Sequence, residues 1–179
     1  MAKSDVTAFD ASRAEKLGER VGVNLEGGLD GSGMRVGIAC ARFNGGVTLR
    51  LLAGALEGLE HCSVARSDIS IAWVPGAFEL PLVARGFATA ATPVDAVLAL
   101  GAVIRGETGH YEFVAGECAR GLQHVQLTYG LPVVFGVLTT ESVDQALARS
   151  LPDETNKGRE SAITAIEVAS LLRRGPLGR

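Results

Sequence analysis

DAVLALGAVI, residues 95–104, is apolar at nearly every position after its first. A strand with one face in water alternates apolar and polar residues. A run this continuous fits a strand covered on both faces, as in the centre of a parallel sheet. Parallel neighbours need crossover connections, usually helical, and the flanking sequence supplies them. Upstream, ISIAWV (69–74) stops at Pro75-Gly76, and a helix starting near Ala77 carries Pro81 in its first turn, where a missing N–H is tolerated. Before that, MRVGIACA (34–41) is bounded by Gly33 and by Phe43-Asn44-Gly45-Gly46. Residues 47–60 then place Leu52, Leu56 and Leu59 on a helical stripe. Downstream, a long helix is predicted from His110 to Tyr129, with Val114, Cys118, Leu122 and Val125 on one side. PVVFGVLTT (132–140) is a fourth strand, residues 142–150 a short helix, and 157–174 a last helix with a polar stripe at Glu160, Thr164 and Glu167. The order predicts an α/β three-layer sandwich around a four-stranded, mainly parallel sheet. The last helix is so apolar outside its stripe that its own sheet or a neighbouring subunit should cover it.

Composition agrees with a folded core. The chain has 179 residues, is 47% hydrophobic and carries a net charge of -3. Extended disorder would need fewer apolar residues and more charge. Lys+Arg (17) fall below Asp+Glu (20), so no basic face for nucleic acid is expected. No apolar run approaches the ~20 residues of a membrane span. The N-terminus mixes charge signs without an apolar stretch, so no secretory leader is expected. Cys40, Cys62 and Cys118 are odd in number and form no C-x-x-C pair, which excludes a disulfide framework and points to a reducing cytoplasm. His61, His110 and His124 lie away from any zinc-like cysteine spacing, so no metal is expected. Residues 1–33, polar and ending in GGLDGSG, read as a flexible arm before a domain at 34–179.

In such sheets ligands bind beyond the carboxyl ends of the strands. Here these are Phe43-Asn44, Pro75 to Glu79, Val103 to His110 and Phe135 to Thr140. Phe43 is either a platform for a flat heterocycle or a rim residue of the core. PGAFELP (75–81) leads into a helix start whose unpaired N–H groups can bind polar or anionic groups, and Glu79 also suits the dipole there. In RGETGH (105–110) the two glycines permit close backbone approach, and Thr108 with nearby N–H groups can hold an oxyanion. Neither a Walker loop nor a G-x-G-x-x-G turn is present. His110 opens a helix and can accept and return a proton, or it is a polar contact at the helix end. No nucleophile sits on a recognisable elbow. Arg149 and Lys157 flank the 150–156 linker as phosphate-binding cations or as solvated charges.

Taken together, FN (43–44), VPGAFELP (74–81), LGAVIRGETGHYEFV (100–114), FGVLTT (135–140) and NKGRES (156–161) closely resemble the lumazine synthase family of riboflavin biosynthesis. The resemblance spans about residues 34–173 and leaves the N-terminal arm uncovered. It implies a flavodoxin-like sheet and a transferase without metal or organic cofactor. The implied reaction condenses 5-amino-6-(D-ribitylamino)uracil with 3,4-dihydroxy-2-butanone 4-phosphate, releasing phosphate and water. By the same resemblance Phe43 stacks on the pyrimidine. Ala77, Phe78 and Glu79 contact the ribityl side, and backbone groups of Ala102, Val103 and Ile104 hold pyrimidine polar atoms. Glu107 and Thr108 cradle the phosphate that Arg149 neutralises, Phe135 and Lys157 line the cleft, and His110 transfers protons. The family works as a homo-oligomer, a pentamer with active sites between subunits, and some members close a 60-subunit icosahedral shell. The linker here, SLPDETN, is as short as in shell formers but lacks their glycine- and lysine-containing turn. In the family the segment just before Met34 adds to an adjacent subunit, while the first twenty residues are expected to lack order. Competing readings are an archaeal-type riboflavin synthase of the same fold, separable by its product, and a silent shell or ligand-binding paralogue. The paralogue would be expected to have lost His110, Thr108 or Arg149, and all three are present.

Overall fold

The computed structural model describes residues 9–174. Four strands form one sheet: β1 (Val36–Ala41), β2 (Ile69–Val74), β3 (Ala96–Ile104) and β4 (Val133–Thr140), in the order β2-β1-β3-β4. Every pairing is parallel, with Ile38 opposite both Ile71 and Leu98, and Leu100 opposite Gly136. The crossovers are helical, as the apolar run at 95–104 requires: α2 (Gly45–His61), α3 (Leu80–Ala88) and α4 (His110–Tyr129), followed by α5 (Val143–Ala148) and α6 (Lys157–Arg174). The mainly parallel sheet inferred from sequence is wholly parallel, in a flavodoxin-like sandwich.

Side-chain alternation divides the core into two layers. Val36, Ile38 and Cys40 of β1 and Ala96, Leu98 and Leu100 of β3 pack with Leu52 and Leu59 of α2 and Ala162, Ala165 and Ile166 of α6. Ala39, Ala41, Val97 and Ala99 point the other way, towards Leu80 and Ala84 of α3 and Cys118, Leu122 and Val125 of α4. Both faces of the central strands are therefore dry, and each fully buried Leu or Ile contributes roughly 1.5–3 kcal/mol of transfer free energy. Asp95 ties the entries of β1 and β3 to α6: its Oδ2 accepts from Arg35 N–H at 2.8 Å and its Oδ1 pairs with Arg173 at 2.7 Å. Helix α4 stops where Gly130 takes φ 58, the left-handed conformation that glycine adopts without strain.

The sequence reading assigns no element before Met34, yet α1 (Ala11–Gly18) is helical, its Asp10 cap accepting from Arg13 N–H at 3.0 Å. No residue of α1 is buried, and its apolar positions, Ala11, Ala14 and Leu17, span only about two turns, too short a stripe to stand out in a polar arm. The following segment reaches the domain through Gly28 N–H, which donates to Ser170 Oγ at 3.0 Å, and Gly31 N–H, which donates to Cys62 O at 2.7 Å. The expectation for the first twenty residues falls partly on 1–8, which lie outside the described residues. The helix expected near Ala77 begins as a 3-10 turn, Ala77–Glu79, before α3 proper.

Candidate active site

At the carboxyl ends of β1 and β3 the chain forms a cleft of about 500 Å³. Its first wall follows β1. Arg42 and Phe43 N–H donate to Val74 and Pro75 carbonyls at 2.9 and 3.0 Å, which extends the β1–β2 ladder and carries Phe43 to the rim. Phe43 lines the cleft and is 71% exposed, so its ring is not packed into the core. Ala77 and Phe78 form a second wall together with Glu79. Glu79 Oε2 accepts from Gly76 N–H at 3.0 Å, so its carboxylate serves the helix start and the cleft at once. Ala102, Val103 and Ile104 supply the floor from the end of β3, and Thr108 and His110 the far side.

The 105–109 loop is held by Arg105. Its N–H donates to Thr140 O at 2.9 Å, its Nη1 to Glu112 at 2.7 Å and its Nε to Glu141 at 2.6 Å. Its guanidinium carbon lies 4.1 Å from the centre of the Tyr111 ring, a cation–π contact. Hydrogen bonds to Glu112, and next to Glu141, push the Arg105 guanidinium further up from its ordinary value. This arrangement fixes the start of α4, where His110 N–H lies 3.5 Å from Thr108 Oγ1. Gly106 and Gly109 do not have positive φ, and an added Cβ at either would meet nothing within 4 Å. The chain itself therefore does not require glycine there. The space beside both backbones is open. Glu107, on the same loop, is exposed and does not line the cleft.

A second groove, of about 370 Å³, runs along β4, the sheet's edge strand, and the start of α6. Phe135, Arg149 and Lys157 line it, with Glu160 and Thr164 of the polar stripe on α6. Lys157 Nζ pairs with both oxygens of Glu160, at 2.7 and 2.6 Å. Arg149 Nη1 donates to Gln145 O at 3.0 Å, and among the described residues no carboxylate pairs with it. The two lining sets share no residue. Within one chain, then, Phe135, Arg149 and Lys157 do not join the cleft of Phe43 and His110.

Sequence reasoning did not single out Asn44, Tyr111 and Val114 as site residues, and all three line the first cleft. Asn44 has φ 58, and its Nδ2 donates to Ala102 O at 2.9 Å, bridging the ends of β1 and β3. The signal was its place between a strand end and Gly45-Gly46, since Asn is one of the few residues tolerant of that backbone region. Tyr111 and Val114 stand one and four positions after His110, and the core stripe on α4 concealed the second function of their turn. Among the described residues no group of three or more His, Cys, Asp or Glu is placed to hold a metal ion, and no helix is long and apolar enough to cross a membrane.

Residues 33–173 match the family model described as 6,7-dimethyl-8-ribityllumazine synthase. With the match running from before β1 to the last turn of α6, over the whole parallel sheet, the chain belongs to the 6,7-dimethyl-8-ribityllumazine synthase family.

Proposed function

We propose that the protein is a transferase that condenses 5-amino-6-(D-ribitylamino)uracil with 3,4-dihydroxy-2-butanone 4-phosphate to 6,7-dimethyl-8-ribityllumazine, in cytoplasmic riboflavin biosynthesis. The observation that carries this reading is the separation of two complementary half-sites. One copy offers an aromatic and polar cleft at Phe43, Phe78, Glu79 and His110; the β4 edge of another offers Phe135, Arg149 and Lys157. Joined across an interface, the halves accept a flat pyrimidine stacked on Phe43 and a phosphate beside Arg149. Exposed Leu82, Phe113 and Leu127 on α3 and α4 give the apolar surface that such an assembly would cover. A heterologous contact closes a ring when its rotation returns to the start, and a homopentamer is the family's ring.

The chemistry asks little of the protein beyond placement. The 5-amino group attacks the ketone and water leaves to give an imine. Phosphate is eliminated, and the second amine closes the ring with loss of water. Each step moves a proton, and His110, at the cleft's far side, accepts and returns it. Phe43 and the Ala102–Ile104 backbone orient the pyrimidine, Ala77, Phe78 and Glu79 the ribityl chain, and Thr108 and Arg149 the phosphate, with Glu107 outside the cleft lining. Positioning of two self-reactive substrates supplies most of the acceleration.

The test is an assay of the purified protein with both substrates, following lumazine absorbance and free phosphate together. Stoichiometric appearance of both is expected. Phosphate without lumazine would remove the pyrimidine role assigned to Phe43, and neither product from an oligomeric sample would leave the silent-paralogue reading. Formation of riboflavin from added lumazine would mark the archaeal-type synthase instead.

A further inference from the structure

Asn156 is the largest polar side chain among the fully buried ones, at 2% exposure, and it lines neither the cleft nor the groove. A buried amide is tolerated only when its donors and acceptor are satisfied, and here they are. Nδ2 donates to Leu151 O at 2.8 Å and to Arg50 O at 3.3 Å, and Oδ1 accepts from Gly158 N–H at 2.8 Å and Arg159 N–H at 3.4 Å. One side chain thus joins the 150–156 linker, helix α2 and the first turn of α6. Helix α2 leaves room for it. A Cβ on Gly54 would lie 2.3 Å from Asn156 Oδ1, and one on Gly158 would lie 1.9 Å from Leu51 O. The next residue, Lys157, donates its N–H to Arg149 O at 3.0 Å and closes the base of the linker.

We infer that Asn156 is a positioning residue for the anion subsite: it fixes Arg149 and Lys157 against α2, the helix that begins directly after Phe43 and Asn44. Because α2 carries one half-site at its start and packs the other half at its middle, this amide sets the distance between the halves that each copy presents. The inference rests on the proposed function for its ligand, a phosphorylated ketone, and on the hydrogen bonds above for its geometry.

Asn156→Asp keeps size and acceptor but faces two carbonyls with a carboxylate, and burial of that carboxylate favours its protonated form as pH falls. A protonated carboxyl regains one donor. At pH 8 the KM for the phosphorylated ketone is expected to rise about tenfold, the scale of one weakened charge-assisted contact. The KM for the pyrimidine and kcat are expected to stay near those of the parent. The variant-to-parent ratio of ketone KM should close as pH is lowered to 6. Asn156→Ser should raise the same KM with no pH-dependent recovery. Equal changes in both KM values, a change in kcat alone, or no change would overturn the inference. So would failure of both variants to fold, judged by circular dichroism and sedimentation, because Asn156 would then serve stability only. If the parent makes no lumazine, the proposed function falls while this inference is read by calorimetry with inorganic phosphate. Weaker binding to the serine variant than to the parent sustains it; equal binding, or none to the parent, removes it.

Discussion

Two inactive variants should restore each other when mixed, and by an amount that the geometry fixes. His110 lines the cleft at the ends of β1 and β3, whereas Arg149 and Lys157 line the groove along β4. In a ring each site takes the first half from one copy and the second from its neighbour. Let one chain carry His110→Ala and the other Arg149→Ala with Lys157→Ala, co-expressed at equal levels under different tags and purified through both. About half of the copies then present an intact cleft and about half an intact groove. In a heterologous ring, with neighbours chosen at random, about one quarter of the sites hold both intact halves. Lumazine formation should therefore reach about a quarter of the parent's rate per site, from components that each retain a few per cent or less. A control sharpens the inference. A chain carrying all three substitutions, mixed equally with the unsubstituted chain, also leaves about a quarter of the sites intact if sites lie between copies, but about half if each chain holds a whole site. Mixed half-site variants no more active than their components, together with a control near one half, would refute the interface reading.

Three further outcomes follow from named groups. His110→Ala should slow turnover by ~10²-fold with substrate binding retained, the range of a positioned proton-transfer residue; unchanged single-turnover rates would remove His110 from the mechanism. Leu98 is fully buried on β3 between β1 and β4, so Leu98→Ala should cost about 2–5 kcal/mol in urea unfolding. A loss under 1 kcal/mol would contradict the dry two-layer core. Burial pushes the Cys40 thiol up to about 11 and the Cys118 thiol up to about 12, from 9.0. Folded pKa values above the unfolded one mean that this contribution to stability is complete below pH 9 and is lost as pH rises towards 11–12. The melting temperature should accordingly fall more steeply with alkalinity in the parent than in a Cys40→Ala, Cys118→Ala variant, and parallel curves would deny these thiols that role.

Most of the sheet was legible because burial wrote it in plain terms. The apolar run at 96–104, too short for a typical helix and flanked by turn residues, reads best as a strand covered on both faces. The stripes on residues 47–60 and 110–129 could not be strands, because their period is helical. What the sequence withheld depends on partners that periodicity does not encode. Helix α1 buries none of its residues, and its signals were slight: the Asp10 cap and a short stripe of Ala11, Ala14 and Leu17. Asn44 looked like a turn residue, and its bond to Ala102 O exists only because β1 and β3 are neighbours in the sheet. Asn156 was read as part of a family motif, but its burial against Arg50 and Leu151 is a property of the α2–α6 packing. The motif residues fall into two separate linings, one at the ends of β1 and β3 and one along the edge strand β4.

That division also separates the two cations, which sequence treated alike. Lys157 stands three residues before Glu160, a spacing that brings side chains together on a helix, and the pair is formed. Its charge is largely compensated before any ligand arrives. Arg149 closes α5 with a bond to Gln145 O, and among the described residues it has no carboxylate partner. A guanidinium has five donors in a fixed fork, so one bond to a carbonyl leaves it able to take a phosphate in bidentate fashion. Under the proposed function, Arg149 is therefore the group expected to supply the phosphate's countercharge. Lys157, held beside it by its own N–H on Arg149 O, contributes a directed donor rather than net charge. A groove arranged in this way pairs one of its two cations internally and keeps the other uncompensated for an anion that fills it.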